Sequence, residues 1–547
     1  MINPSVDMLK NELKSFYDVR RNSHFNDTGT IPEETGEMRR HIHEEMEAFS
    51  VACPETHPAI VKAKLHETIA SWCRPVIFRH SPFFFEIDSK PSESWGCPGS
   101  FRQTPSSWLR ERNRGIFKTI PEFKWLSECP VLSGGGFDND HHSIGYTRLM
   151  GKGVNGVLSE IAQRRKRPVD AEQETVLEAM ERSCRALLAV AGRFHFAAAE
   201  ALSGETDPDA CRCLRLIAET SARIPAEPPR TFHEGLAFLL FLREVVASLE
   251  GIGISVLGHP DRLLIGLYRH DIAEGIITES EARDLIARWM LPFDIKTHVD
   301  DNPWPETSSC MTLGGCDEDG VPVWNELTRL FIEVHHEHGL MNPKPNCRIS
   351  ANSPREYLEL IALLNLGGHN NFALMNDDIL IPALMRAGKT DREARLYVNG
   401  GCQEPITENV EHSAGAYYWI NLPQLLDLCL RKADGVLPGW AGKALPHPVG
   451  KTDGFEEFYS RCRDQIFNSI GTGAEWRTAV GRLQRLVNPC PLFSVSLDGC
   501  IDNAADYTAG GARHNPSGIC LVGIASLINS LNVIREAVFE RKWITLE

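Results

Sequence analysis

With 547 residues, 42% of them hydrophobic and 24% charged, the chain has the make-up of an ordinary globular protein, long enough for several domains or one large barrel with insertions. A formal charge of −16 leaves no basic face for a nucleic acid. No apolar run approaches the roughly 18 residues of a membrane span, and the polar start Met1-Ile2-Asn3-Pro4-Ser5 lacks the layout of a signal peptide, so a cytoplasmic protein without a membrane partner is expected.

In chain order, residues 1 to about 75 carry helical periodicity with interleaved charges and are expected to form packing helices at the periphery. His41 and His43 fall short of the metalloprotease pattern because Glu47 stands four places past His43, and a solvated helix face is expected there. From Arg74 to Arg114 the composition turns to Pro, Ser, Trp and Phe, as in Ser81-Pro82-Phe83-Phe84-Phe85-Glu86, which is loop chemistry with aromatic plugs. The run Ser133-Gly134-Gly135-Gly136 then delivers Asp140, His141 and His142 just ahead of a helix from about Tyr146. Such a turn forms either a pocket edge or a helix cap. Arg164 to Arg167 reads as the solvated end of that helix.

Residues 172 to 224 are expected to form one long amphipathic helix, with Cys211 and Cys213 as packing residues because no second thiol pair stands at zinc spacing. The sixteen cysteines are scattered along the chain and read as free thiols. Pro225, Pro228 and Pro229 break the chain before a helix from Leu236 to about Leu249, and Gly251 to Gly258 reads as a buried strand. Helices then alternate with short strands: helix 278–291, strand 310–315, helix 324–337, strand 346–350, helix 354–365, strand 371–375, helix 377–386. Alternation at this spacing means parallel βα units, hence an α/β barrel or a large wound sheet. His335, His336 and His338 are expected as caps or surface residues at a helix end, and Gly450-Lys451-Thr452 lacks the earlier glycine of a phosphate loop, Leu445 standing there.

The stretch Tyr397-Val398-Asn399-Gly400-Gly401-Cys402-Gln403-Glu404-Pro405 has too few side chains to build a core, and its glycines permit a tight turn that leaves the thiol uncovered. A thiol two residues from a carboxylate suits hydrogen or proton transfer; a small buried hydrophobe in an ordinary turn is the alternative.

Several blocks, in order, resemble the glycyl radical enzymes, the pyruvate formate-lyase and glycerol dehydratase-like superfamily. They are Arg223-Ile224-Pro225-Ala226-Glu227-Pro228-Pro229-Arg230-Thr231-Phe232, Thr312-Leu313-Gly314-Gly315 with Asp317-Glu318-Asp319-Gly320 and Asn325-Glu326-Leu327-Thr328, Asn376-Asp377-Asp378-Ile379-Leu380-Ile381-Pro382-Ala383-Leu384, Gly401-Cys402-Gln403-Glu404-Pro405, and Asp506-Tyr507-Thr508-Ala509-Gly510-Gly511-Ala512-Arg513-His514-Asn515-Pro516-Ser517-Gly518. The resemblance covers residues 115–547 and leaves 1–114 as a divergent helical and loop region. It implies a ten-stranded β/α barrel of two five-stranded halves with peripheral helices. It also implies a glycyl radical, with no cofactor bound directly and no metal, installed by an S-adenosylmethionine and iron-sulfur activating enzyme. Cys402 matches the thiyl residue and Glu404 the general base of eliminating members. His141, with Asp140 or His142 as alternatives, matches a substrate contact. Ser255 and the Tyr417-Tyr418-Trp419 cluster, Tyr418 above all, are candidate pocket walls or core.

The residues flanking Cys402 are Gly401 and Gln403, so the second, acyl-carrying cysteine has no match. Elimination or decarboxylation of a small polar substrate is therefore expected over formate acetyltransferase-like C–C cleavage. The family's Arg-Val-Ser/Thr-Gly-Tyr/Phe motif has no copy in this sequence. The expectation is a barrel without its glycyl radical domain, served by a small glycine-bearing subunit, or else a truncated and inactive homologue. Relatives also imply a homodimer.

Overall fold

The computed structural model describes residues 4–18, 33–88, 105–129, 131–133, 141–297, 309–369, 371–401, 403–413, 416–431 and 444–546; Asp140 and Cys402 lie outside the described residues. The chain divides into two compact units, residues 1–112, 140–414 and 488–516 forming the first and residues 113–139, 415–487 and 517–547 the second. The described strands are β1 (Leu132–Ser133), β2 (Cys310–Gly314), β3 (Lys344–Ile349), β4 (Ala373–Asn376), β5 (Tyr397–Asn399), β6 (Pro405–Thr407), β7 (Ala416–Asn421) and β8 (Gly518–Val522).

In the first unit β2, β3 and β4 form a parallel sheet, Cys310 pairing with Lys344 and Asn346 with Ala373. Between these strands run the helices Glu326–Glu337 and Arg355–Leu366, so the alternation read from the sequence is a true βα succession. The first of these helices starts where the chain supplies a reciprocal cap, Asn325 with Thr328. β2 is buried along its whole length, whereas β4, at the edge, alternates buried and exposed residues. The apolar helix Phe232–Phe241 is buried almost throughout and continues through a π turn, Leu242–Val246, to Glu250.

Four expectations need correction. Residues 251–258 form no strand, only isolated bridges, Ile254 with His141 and Val256 with Ser143 and Cys310. The helix expected over 172–224 is two helices, Ala171–Ser203 and Pro208–Ser221; Asp207 caps the second by accepting from the amides of Asp209 and Ala210, and Pro208 begins it. The N-terminal helices are not peripheral: Leu9, Leu13, Ile42, Met46, Leu65 and Ile69 belong to the main core, and Lys62 and His66 on Pro58–Trp72 are fully buried. His335 is a core residue rather than a cap, fully buried with Nδ1 3.2 Å from His369 Nε2. Burial, with His369 and His336 adding to it, holds its imidazole down to about 3. Two other readings stand. Phe83, Phe84 and Phe85 are buried plugs, and His41 lies on a solvated face, stacked on Trp72.

The second unit carries a sheet in the order β1-β7-β8, β1 antiparallel and β8 parallel to β7, beside the long helix Phe455–Gly481. Its apolar helix Ile524–Ile534 has no buried residue and exposes Ile524, Ile528 and Val533. Among the described residues no helix is long and apolar enough to cross a membrane.

Candidate active site

The loop singled out in the sequence is the tip of a hairpin. β5 and β6 pair antiparallel, Tyr397 opposite Thr407 and Asn399 opposite Pro405. Across the tip, Gly400 N donates to Glu404 O at 2.8 Å and Gln403 N to Gly400 O at 2.9 Å, and Gln403 takes a left-handed φ of 76°. Gly400 is required for a different reason: a Cβ there would stand 2.2 Å from Glu404 Oε1, so only glycine lets the carboxylate fold back over the turn.

The hairpin is held against the sheet by alternate residues. Asn399 N donates to Thr312 Oγ1 at 3.0 Å, and Cys310 Sγ lies 2.8 Å from Asn399 O. Val398 and Ile406 pack with Val256 and Cys310. On β3, Lys344 Nζ donates to Gly401 O at 3.0 Å and Arg348 Nη1 to Tyr397 O at 3.2 Å. Arg348 also gives Asp377 two 2.9 Å bonds, and Tyr397 donates to the same carboxylate at 2.6 Å. Burial pulls the Arg348 guanidinium down, but Asp377 and Tyr397 outweigh it and hold it above its ordinary value.

The sequence left Asp140, His141 and His142 as alternatives. The structure separates the two described ones. His141 Nδ1 donates to Glu404 Oε1, and its backbone is held by Ser413 Oγ at 2.9 Å. His142 is fully buried, with Nδ1 3.1 Å from His412 O and its ring edge-on to Phe493 and Tyr507, as a packing residue would be. Glu404 and His141 are each 16% exposed, and Glu404 Oε2 is buried without a hydrogen-bond partner.

Ser255 is fully buried; its carbonyl takes Cys310 N at 3.0 Å, and its Oγ has no partner. Tyr418 sits in the apolar core of the second unit, and its hydroxyl donates to Ile470 O at 3.2 Å. All its described contacts lie within that unit, and burial pushes its phenol up to about 12. Glu408 and Glu411, the other carboxylates after the loop, are engaged: Glu408 by Thr147 and Arg262, Glu411 by Lys389 and Thr407 N.

Sequence reasoning missed Lys344 and Asn346. It began the strand at Asn346, yet Lys344, Asn346 and Arg348 alternate with Pro345, Cys347 and Ile349, and that period of two marks a polar face in a strand with both faces buried.

A family model described as pyruvate formate lyase-like matches residues 110–547. A trans-4-hydroxy-L-proline dehydratase of Clostridioides difficile is 28% identical over 376 residues, which is 67% of this chain and 47% of that protein. A solved structure concerned with 1,2-propanediol dehydration in Roseburia inulinivorans superposes with a TM-score of 0.83 at 21% identity, covering 100% of this chain and 72% of that one. A glycyl radical enzyme from Archaeoglobus fulgidus gives 0.82 at 21%, covering 97% and 72%. These likenesses show that the fold is that of the glycyl radical enzyme barrels. The chain spans about half the length of the curated relatives it matches.

Proposed function

Because the chain belongs to the pyruvate formate lyase-like family, we propose that residues 115–547 form the catalytic barrel of a glycyl radical lyase, in which Cys402 abstracts hydrogen from a small polar substrate and Glu404 is the general base. The observation that carries this reading is the pairing of Glu404 with His141, which leaves Oε2 buried and unpartnered two residues from the thiol. A glycyl radical, installed by a radical S-adenosylmethionine activating enzyme, supplies the oxidising equivalent that makes Cys402 a thiyl.

The thiyl takes a hydrogen atom from a hydroxyl-bearing carbon, the S–H bond forming as the C–H bond breaks. Glu404 Oε2 then accepts the hydroxyl proton, and the leaving group on the neighbouring carbon departs with its bonding pair. The Cys402 thiol returns a hydrogen atom to the product radical and is a thiyl again. His141 holds Oε1, so Oε2 is the atom left for the substrate. The buried, unpartnered Ser255 Oγ supports a substrate contact. Tyr418 is not carried into this reading, because its hydroxyl is engaged by Ile470.

The same reading places the protein in the cytoplasm as a homodimer that meets its activating enzyme and a glycine-bearing polypeptide. Support for a polypeptide partner is the exposed apolar run Ile524, Ile528 and Val533. The test is anaerobic activation with a substrate panel, read by product and by the glycyl signal in electron paramagnetic resonance. Cys402→Ala abolishes turnover, and Glu404→Gln retains hydrogen exchange between substrate and thiol while blocking elimination. Turnover by Cys402→Ala would sink the mechanism.

A further inference from the structure

β3 carries a second, unassigned set of polar groups facing the hairpin. Lys344, Asn346 and Arg348 share one face of the strand; the first reaches Gly401 O and the third Tyr397 O. Asn346 lies between them, beside Thr312 on β2, which holds Asn399 N. Its neighbours on three sides thus contact residues 397, 399 and 401 of the hairpin. Asn346 is fully buried, and both its Nδ2 and its Oδ1 lack a hydrogen-bond partner. Asn399 Oδ1, on the hairpin, is likewise buried and unpartnered.

Lys344 sharpens the case. It is 7% exposed, and its ammonium makes one hydrogen bond, to the Gly401 carbonyl, with no carboxylate paired to it among the described residues. A lysine is seldom buried without a counter-charge, and an amide with both atoms unsatisfied is costly to bury. The flanking anchors Thr312 and Arg348 have their polar groups engaged, whereas Lys344 makes a single hydrogen bond and Asn346 none. What would satisfy them is an anionic oxygen group. The ammonium supplies the charge and two spare donors, and the Asn346 NH2 supplies two more.

Resting on the active-site reading above, we propose that Lys344 and Asn346 form an anion subsite, and that the substrate is a small hydroxy acid anion. Its carboxylate or sulfonate sits on these two residues, and its hydroxyl is presented to Glu404. A buried ion needs a buried partner of opposite charge, so a neutral diol of the same size leaves the ammonium unpaired and binds more weakly.

Binding to the unactivated protein tests this without turnover. Isothermal titration calorimetry compares 3-hydroxypropionate and 2-hydroxyethanesulfonate with 1,3-propanediol and ethylene glycol, the first pair separating carboxylate from sulfonate. At least one hydroxy anion binds about tenfold or more tightly than its neutral counterpart. Lys344→Met removes that preference, and Lys344→Arg, which keeps the charge, retains part of it. Asn346→Leu weakens anion binding and raises the melting temperature of the ligand-free protein, which a residue that merely braces the hairpin would lower. Binding is read on the unactivated protein and turnover on the activated one, so failure of the subsite and failure of the radical mechanism give different results. The proposal is overturned if the unaltered protein binds no hydroxy anion or binds the diols as tightly, a result that requires no variant to fold, or if Lys344→Met keeps the preference.

Discussion

Around Lys296 each buried charge meets its complement. Its Nζ lies 2.6 Å from Glu244 Oε2 and 3.3 Å from Glu86 Oε2, Tyr17 donates to Glu86 at 2.5 Å, and Arg243 ties Glu244 to Ile254 O and Ser309 Oγ. Around Lys344, in the same unit, the pattern inverts: one carbonyl for the ammonium and nothing for Asn346 or for Glu404 Oε2. The first cluster offsets its desolvation within the chain and so braces the helices and the segment before β2. The second leaves its desolvation uncompensated, as expected of a surface built for something the chain does not contain. Buried charge alone therefore does not mark a site; buried charge without a partner does.

The sharpest way to break this contrast is Glu404→Gln. In the activated enzyme it lowers kcat by about 10²–10⁴-fold while leaving the melting temperature nearly unchanged, because Gln still accepts from His141; a large fall in melting temperature would make Glu404 a bracing residue. Lys296→Met attacks the other cluster and leaves two carboxylates facing each other in the core. It costs about 3–5 kcal/mol in denaturant unfolding, and a loss below about 1 kcal/mol would mean that the cluster does not brace the fold.

His335 is an intermediate case, satisfied only while neutral. Its folded-state pKa is depressed from 6.5 to about 3, so its contribution to stability is present above 6.5 and is lost as pH falls towards 3. Between pH 7 and pH 5 this amounts to about 2 kcal/mol. In His335→Gln the stability difference between those two pH values shrinks by about that amount; an unchanged difference would assign the acid sensitivity to other groups. Asn346→Leu has the smallest expected effect and the opposite sign, a gain of about 1 kcal/mol in the ligand-free protein from removing an unpaired buried amide. A loss instead would place Asn346 with the bracing cluster.

How far the sequence carries depends on the range of the forces involved. The βα alternation from Cys310 to Arg386 was legible because strand and helix periods are local and repeat over a few residues. The break at Gly204–Asp207 was also written locally, as Gly204, the Asp207 cap and Pro208, but the amphipathic pattern on either side hid it. His335 could not be placed, because its burial depends on His369, 34 residues further on.

The site divides along the same line. The Gly400-Gly401-Cys402-Gln403-Glu404 tip is a short-range feature: its turn needs small residues whatever else the chain does, and residue types alone offer two readings of it, a thiol and carboxylate for hydrogen or proton transfer or a small buried hydrophobe in an ordinary turn. That His141, rather than His142, is the described histidine facing Glu404 was settled by a contact spanning 263 residues. Whether Lys344 and Asn346 are satisfied or left open was settled the same way, by which groups of a distant hairpin come within hydrogen-bond reach. The sequence by itself determined the thiol, the carboxylate and the parallel βα framework. Only the tertiary structure decided which buried polar groups remain without partners, because satisfaction of a hydrogen bond is a property of atoms brought together in space and not of any one stretch of chain.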